Sequence, residues 1–282
     1  MIKKFIAIIK LCRLNRPFLA IPFIFTIAFT STQQRINKTY LVYILLAVLS
    51  GFMAGNIING MADRDIDAGN LRTAQRPLVK KDISLKECFF LITILILTLF
   101  YATYMLNPFY LLLLPIPASL ILVYSWLKRF TWLCHICLAL INGAVPFATC
   151  GIYRGWRDFG CIVAGAVVFF WTIAFEVLYS CQDYEYDIVH GLHSIPTTFG
   201  ITNAKKISSI CYIIMCVMLY FYWHISYGEN IFRVGIFIGY LLIIIQQIIF
   251  KFRKENIKWV LEYSELFSLL IAISAVLDYY TR

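Results

Sequence analysis

Three side chains spaced four residues apart, Asn59, Asp63 and Asp67, recur in the run NGMADRDIDAG. On an α-helix each is turned by only about 40° from the last, so all three line one face while Asp65 points away. Asp183 and Asp187 repeat the interval later in the chain. A column of carboxylates repels itself unless a cation sits among its members. Hard oxygen ligands of this kind suit Mg²⁺, which binds through a few carboxylates and takes further oxygens from a substrate phosphate. One such column has two readings, solvated loop aspartates with accidental spacing or a diphosphate–magnesium site; the second column favours the latter. Basic residues accompany both. Arg72 and Arg76 follow the first column, and Lys128-Arg129 form an isolated basic pair. Guanidinium groups hold phosphate oxygens bidentately and stabilise a departing diphosphate as its charge grows. Lys80, Lys81, Lys251, Arg253 and Lys254 are read as ordinary cytoplasmic charge bias, and Arg76 fits either reading.

The elements that must position these groups are membrane helices. The chain has 282 residues, 61% of them hydrophobic and only 14% charged, with mean hydropathy +0.78. Apolar residues come in blocks long enough to cross a bilayer's hydrocarbon core, about 20 residues each. This excludes a soluble enzyme, a nucleic-acid-binding module and a disordered chain, so the net charge of +10 is read by position. About nine spans are expected, with cores at 17–33, 40–60, 88–106, 108–126, 132–152, 160–180, 207–225, 231–250 and 263–280. Asn107-Pro108 divides the third from the fourth, because proline cannot continue the helix. With the N-terminus inside, 19 of the 25 basic residues fall on the cytoplasmic side, which sets the orientation by the positive-inside rule. Both acidic clusters then lie at the cytoplasmic edge.

The expected fold is an all-α integral membrane protein in one domain, 1–282, built from two four-helix repeats plus one helix. Helix two and helix six, four helices apart, each end in an acidic cluster. Residues 1–16 read as an amphipathic surface helix, with Phe5, Ile8, Ile9 and Cys12 on one face and Lys3, Lys10 and Arg13 on another. The nine cysteines fall mostly in apolar blocks and are read as packing residues. Cys134 and Cys137 lack the second cysteine pair that a zinc site requires. Glu176 is the one acidic residue in the middle of an apolar block; because exposure to lipid is costly, it should face the bundle interior.

Three segments together resemble the UbiA superfamily of intramembrane prenyltransferases. NGMADRDIDAGNLRTAQRP, 59–77, resembles its N-x-x-x-D-x-x-x-D signature with trailing arginines. EVLYSCQDYEYDIVHGLHSIPTTFG, 176–200, is similar to its second acidic signature, and YSWLKRFT, 124–131, to its Tyr-x-x-x-Lys-Arg-x-Thr segment. The resemblance implies an enzyme that binds a polyprenyl diphosphate through Mg²⁺, ionises it to an allylic cation and lets an acceptor attack. Carried over by position, Asn59, Asp63, Asp67, Asp183 and Asp187 would hold metal and diphosphate. Arg72, Lys128 and Arg129 would steady the diphosphate, while Tyr124, Tyr179 and Glu176 would line the cavity near the acceptor. Arg16 loosely matches the family's basic residue on helix one. A dry, aromatic-rich chamber would protect such a cation.

Within the superfamily, the 4-hydroxybenzoate and naphthoate enzymes of quinone synthesis look closest, through KRFT at 128–131 and GLHSIP at 191–196. The implied partners are a polyprenyl diphosphate, an aromatic acid and membrane lipid, in ubiquinone or menaquinone biosynthesis at the plasma (inner) membrane. Val189 and His193 stand where 4-hydroxybenzoate enzymes often carry lysine, and Lys80-Lys81 replace the usual glycine after Arg-Pro. Alternatives are a secondary transporter with intramembrane carboxylates, or an enzyme of this type using haem, chlorophyllide or a lipid precursor as acceptor. Placement discriminates the first, since transport sites lie near the midplane on broken helices.

Overall fold

The structure, a computed structural model, describes residues 2–14, 21–252 and 258–282; Arg16 lies outside them. Among the described residues all regular structure is helical: α1 (Ile2–Leu11), α2 (Ile21–Thr30), α3 (Lys38–Ala62), α4 (Arg64–Gly69), α5 (Leu85–Leu106), α6 (Phe109–Leu113), α7 (Pro115–Leu127), α8 (Cys134–Arg154), α9 (Phe159–Ser180), α10 (Tyr184–Val189), α11 (Ile195–Ile225), α12 (Asn230–Phe252) and α13 (Lys258–Thr281). Eight stretches within this set are long and apolar enough to span a membrane. A ninth expected span, 17–33, is described only as the ten-residue α2. The Asn107-Pro108 break falls as expected between α5 and α6, where the Asn107 carboxamide oxygen accepts from the Phe109 N–H at 2.8 Å.

The helices fall into two compact units. The first comprises residues 1–18 and 38–127, the second 19–37 and 128–282. In the first, α3 packs along α5 and α7, and Gly55 admits the Ile121 side chain. The lipid-facing side of α5 is apolar and exposed, with Phe90, Leu97 and Tyr101 uncovered, as a helix bathed in acyl chains permits. Helix α1 buries Ala7, Leu11 and Cys12 in a cluster with Ile57, Leu78, Ile83 and Cys88, while Phe5 stays exposed. Its covered face therefore keeps Cys12 and Ile8 of the expected stripe, leaves Phe5 outside and adds Ala7 and Leu11. The α3 flank competes with solvent and lipid for the apolar side, and Gly60 leaves room for Leu11.

The second unit has a fuller core. Trp171 on α9 is completely buried, edge-on to Phe23 of α2 at 5.0 Å and tilted against Phe175. Helices α8 and α9 approach closely through Gly143 and Gly165: a Cβ at Gly143 would come within 2.8 Å of the Gly165 carbonyl oxygen. Small residues at such a crossing let two backbones pack where hydrophobic drive between helices is weak. Helix α2 packs on α8 and α13. All nine cysteines are free thiols, most of them buried.

Candidate active site

The first acidic motif sits at a break in the helix. Helix α3 ends at Ala62, Asp63 takes φ −90°, ψ 1°, and α4 begins at Arg64. This is the sparsely populated bridge region, where helical turns loosen and many site residues are found. The i to i−4 bonds nevertheless persist on the motif face, Asp63 N–H to Asn59 O at 2.9 Å and Asp67 N–H to Asp63 O at 2.8 Å. The break thus leaves Asn59, Asp63 and Asp67 in register. The Asn59 carboxamide donates to Asp63 Oδ2 at 3.2 Å. Both carboxylates are deeply set, Asp63 and Asp67 each being 4% exposed, whereas Asp65 is exposed.

The turns after α4 fold back over the motif. Thr73 Oγ donates to the Asp67 carbonyl at 3.1 Å, and the Thr73 and Arg76 amides close successive turns onto Asn70 and Thr73. This returns Arg76 to the motif, where Nη1 binds Asp67 Oδ2 at 2.5 Å. The Arg72 side chain is exposed, and its amide donates to Asn70 Oδ1 at 2.9 Å. Arg76, which sequence left between a role and charge bias, is thus an arginine on the motif, paired with Asp67. Its nine-residue separation from Asp67 carries no helical periodicity that could have revealed the contact. Tyr124 is half-buried on α7 of the same unit.

The second motif repeats the backbone of the first. Helix α9 ends at Ser180, a 3₁₀ turn covers Cys181–Asp183, and Asp183 takes φ −98°, ψ 5° before the six-residue α10. Asp63 and Asp183 therefore occupy the same strained position, each followed by a short helix carrying the second aspartate. The two acidic clusters noted in the sequence thus share a backbone geometry. Asp183 and Asp187 are half-buried and Glu185 is exposed. Glu176 and Tyr179, on the last turns of α9, are half-buried.

Within this unit the basic pair is tied to the loop after Asp187. The His193 amide donates to the Lys128 carbonyl at 2.7 Å, and the Leu192 amide donates to the Asp187 carbonyl at 2.8 Å. Cys134, at the start of α8, lies within electrostatic reach of Glu176, Lys128 and Asp187, so these three groups share one end of the unit. Lys128 and Arg129 are half-buried. Ser194 then caps α11 with a capping box through Thr197, and Gly200, at φ 79° and ψ 155°, breaks that helix. Only glycine adopts such angles readily. His190 stacks on Tyr186 with ring centroids 3.9 Å apart, and its Nδ1 lies 2.9 Å from the Tyr186 carbonyl.

Among the described residues no three His, Cys, Asp or Glu side chains gather into a metal cluster. The donor chemistry still suits Mg²⁺. This ion takes one or two carboxylates and completes its shell with water and phosphate oxygens, and Asp63 with Asp67 offers such a hard-oxygen pair.

A polytopic helical membrane protein with two acidic motifs at helix breaks, each with basic residues in its own unit, has the arrangement expected of an intramembrane prenyltransferase. Residues 19–270 match the UbiA prenyltransferase family, and the chain belongs to it. It is 28% identical over 236 residues to the 4-hydroxybenzoate octaprenyltransferase of Actinobacillus pleuropneumoniae serotype 3 (strain JL03), covering 82% of this chain and 80% of that one. It is 27% identical to the enzyme of the same name from Vibrio atlanticus (strain LGP32), over 88% of each. Among solved structures, the apo UbiA homolog from Aeropyrum pernix K1 superposes with TM-score 0.83 at 27% identity, covering 92% of this chain and 96% of that one. A homolog from Archaeoglobus fulgidus bound to GPP and Mg²⁺ shares the fold, with TM-score 0.71 at 20% identity over 97% and 99% of the two chains. Family membership removes the transporter reading.

Proposed function

We propose that the protein transfers a polyprenyl group from a polyprenyl diphosphate to an aromatic acid, with Mg²⁺, on the way to a respiratory quinone. The observation that carries this reading is the pair of helix breaks at Asp63 and Asp183, each placing an aspartate pair at the end of a membrane helix. In this reading Asp63, Asp67, Asp183 and Asp187, with Asn59, hold the metal and the diphosphate. When bound, Mg²⁺ supplies positive charge against the diphosphate oxygens. Lys128, Arg129 and Arg72 bind the diphosphate and take up the charge that grows on it as the allylic C–O bond breaks. Glu176, Tyr124 and Tyr179 face the acceptor, and the apolar walls keep water from the cation. Arg16 keeps the supporting role implied by its loose family match. The membrane is the plasma (inner) membrane, with the N-terminus and both motifs on the cytoplasmic side, as the distribution of basic residues indicates.

The relatives' names support 4-hydroxybenzoate as acceptor. The loop after Asp187 carries His190 and exposed His193, and an imidazole attracts a carboxylate less than a lysine ammonium does. A bicyclic hydroxynaphthoate is therefore the competing acceptor. Membranes containing the protein, given a radiolabelled polyprenyl diphosphate and a panel of aromatic acids, should yield a prenylated acid identifiable by mass spectrometry. Chelation of divalent metal should abolish product. Absence of any prenylated aromatic acid, with metal present, refutes the reading.

A further inference from the structure

Asp67 already has a cation on it. Its carboxylate is 6% exposed, and Arg76 is its side-chain partner among the described residues, at 2.5 Å through Oδ2. The Arg76 side chain is 31% exposed. The two halves of the pair therefore differ in freedom. The aspartate is held by helix α4 and by Thr73 on its own carbonyl, whereas the arginine side chain reaches the surface. A divalent cation and a guanidinium on one buried carboxylate repel each other strongly in a water-poor site. An arriving metal must therefore compete with Arg76 for Asp67.

Resting on the reading of Asp67 as a metal ligand, we propose that Arg76 is its resident counter-ion. It neutralises the buried carboxylate in the substrate-free protein and yields it to the metal when a diphosphate arrives to take the guanidinium. Metal alone must expel Arg76 without giving it a new partner. Metal with diphosphate offers it phosphate oxygens, to which guanidinium binds well. Arg76 thereby couples the two bindings, disfavouring metal without substrate.

The test uses Mn²⁺, a hard-oxygen stand-in, titrated into the detergent-purified full chain without diphosphate and followed by the electron paramagnetic resonance of the free ion. Arg76→Ala should bind Mn²⁺ about tenfold more tightly than wild type, since the competing charge-assisted bond is gone. Arg76→Lys, which keeps the charge but loses the planar fork, should tighten binding about two- to threefold. In both variants the KM for polyprenyl diphosphate should rise. Unchanged or weaker Mn²⁺ binding in both variants overturns the inference; should Arg76→Ala fail to fold, Arg76→Lys alone decides. Asp67→Asn separates the two levels. If it binds Mn²⁺ like wild type, the metal-ligand reading of Asp67 fails. If it loses binding while both Arg76 variants match wild type, only the counter-ion inference fails.

Discussion

Replacing Asp63 by Asn should separate catalysis from stability, lowering turnover far more than it changes the fold. The substitution is isosteric, and the side chain sits 4% exposed with Asn59 donating to Oδ2 at 3.2 Å. Removing its charge relieves repulsion with Asp67 one turn away. Two like charges about 6 Å apart repel by roughly 3 kcal/mol at an effective dielectric near 20. Arg76 on Asp67 already offsets part of that. The weakened bond from Asn59 costs about 1 kcal/mol. These contributions oppose one another and the side chain keeps its shape, so Asp63→Asn should fold with a Tm close to that of wild type. Turnover should instead fall by about 10²–10³-fold, because a ligand to the metal that neutralises the diphosphate is lost. Product formation and thermal unfolding, measured on the same detergent preparation, read both quantities. Retention of more than a tenth of the activity would refute the site assignment, and a fall in Tm alongside lost activity would mean that Asp63 is a structural group.

Arg129→Ala should lower turnover by about 10²-fold or more, while Lys206→Ala, on the exposed side of α11, should leave it unchanged; equal mild effects in steady-state assays would mean that the Lys128-Arg129 pair acts only as orienting charge. Gly200→Ala should destabilise the protein by about 1–3 kcal/mol, because φ 79° with ψ 155° is a conformation held almost only by glycine. A Tm equal to wild type would show that the break in α11 relaxes without cost. In direct competition, hydroxynaphthoate should be prenylated at least as well as 4-hydroxybenzoate if the His190–His193 loop selects the ring, and exclusive use of 4-hydroxybenzoate would rule that out.

The sequence by itself determined the membrane helices and the order of the motifs. A bilayer demands apolar runs of about 20 residues and punishes every interruption, so the spans were readable as linear blocks. The expectation that Glu176 faces the bundle rests on the same cost, and the i, i+4 spacing placed Asn59, Asp63 and Asp67 on one face. Tertiary structure decided what that spacing leaves undetermined. Periodicity gives the angle of a residue around a helix but not where the helix breaks, so Asp63 and Asp183 at matching bridge-region angles were not legible. The choice of Arg76 over Arg72 as the partner of Asp67 depends on how the turns from Asn70 to Arg76 close, each set by hydrogen bonds that no pattern of residue types encodes. The covered face of α1 was decided the same way: an amphipathic helix presents its apolar side to whichever surface buries most of it, and here Ile57, Leu78, Ile83 and Cys88 are held ready by the fold of residues far along the chain.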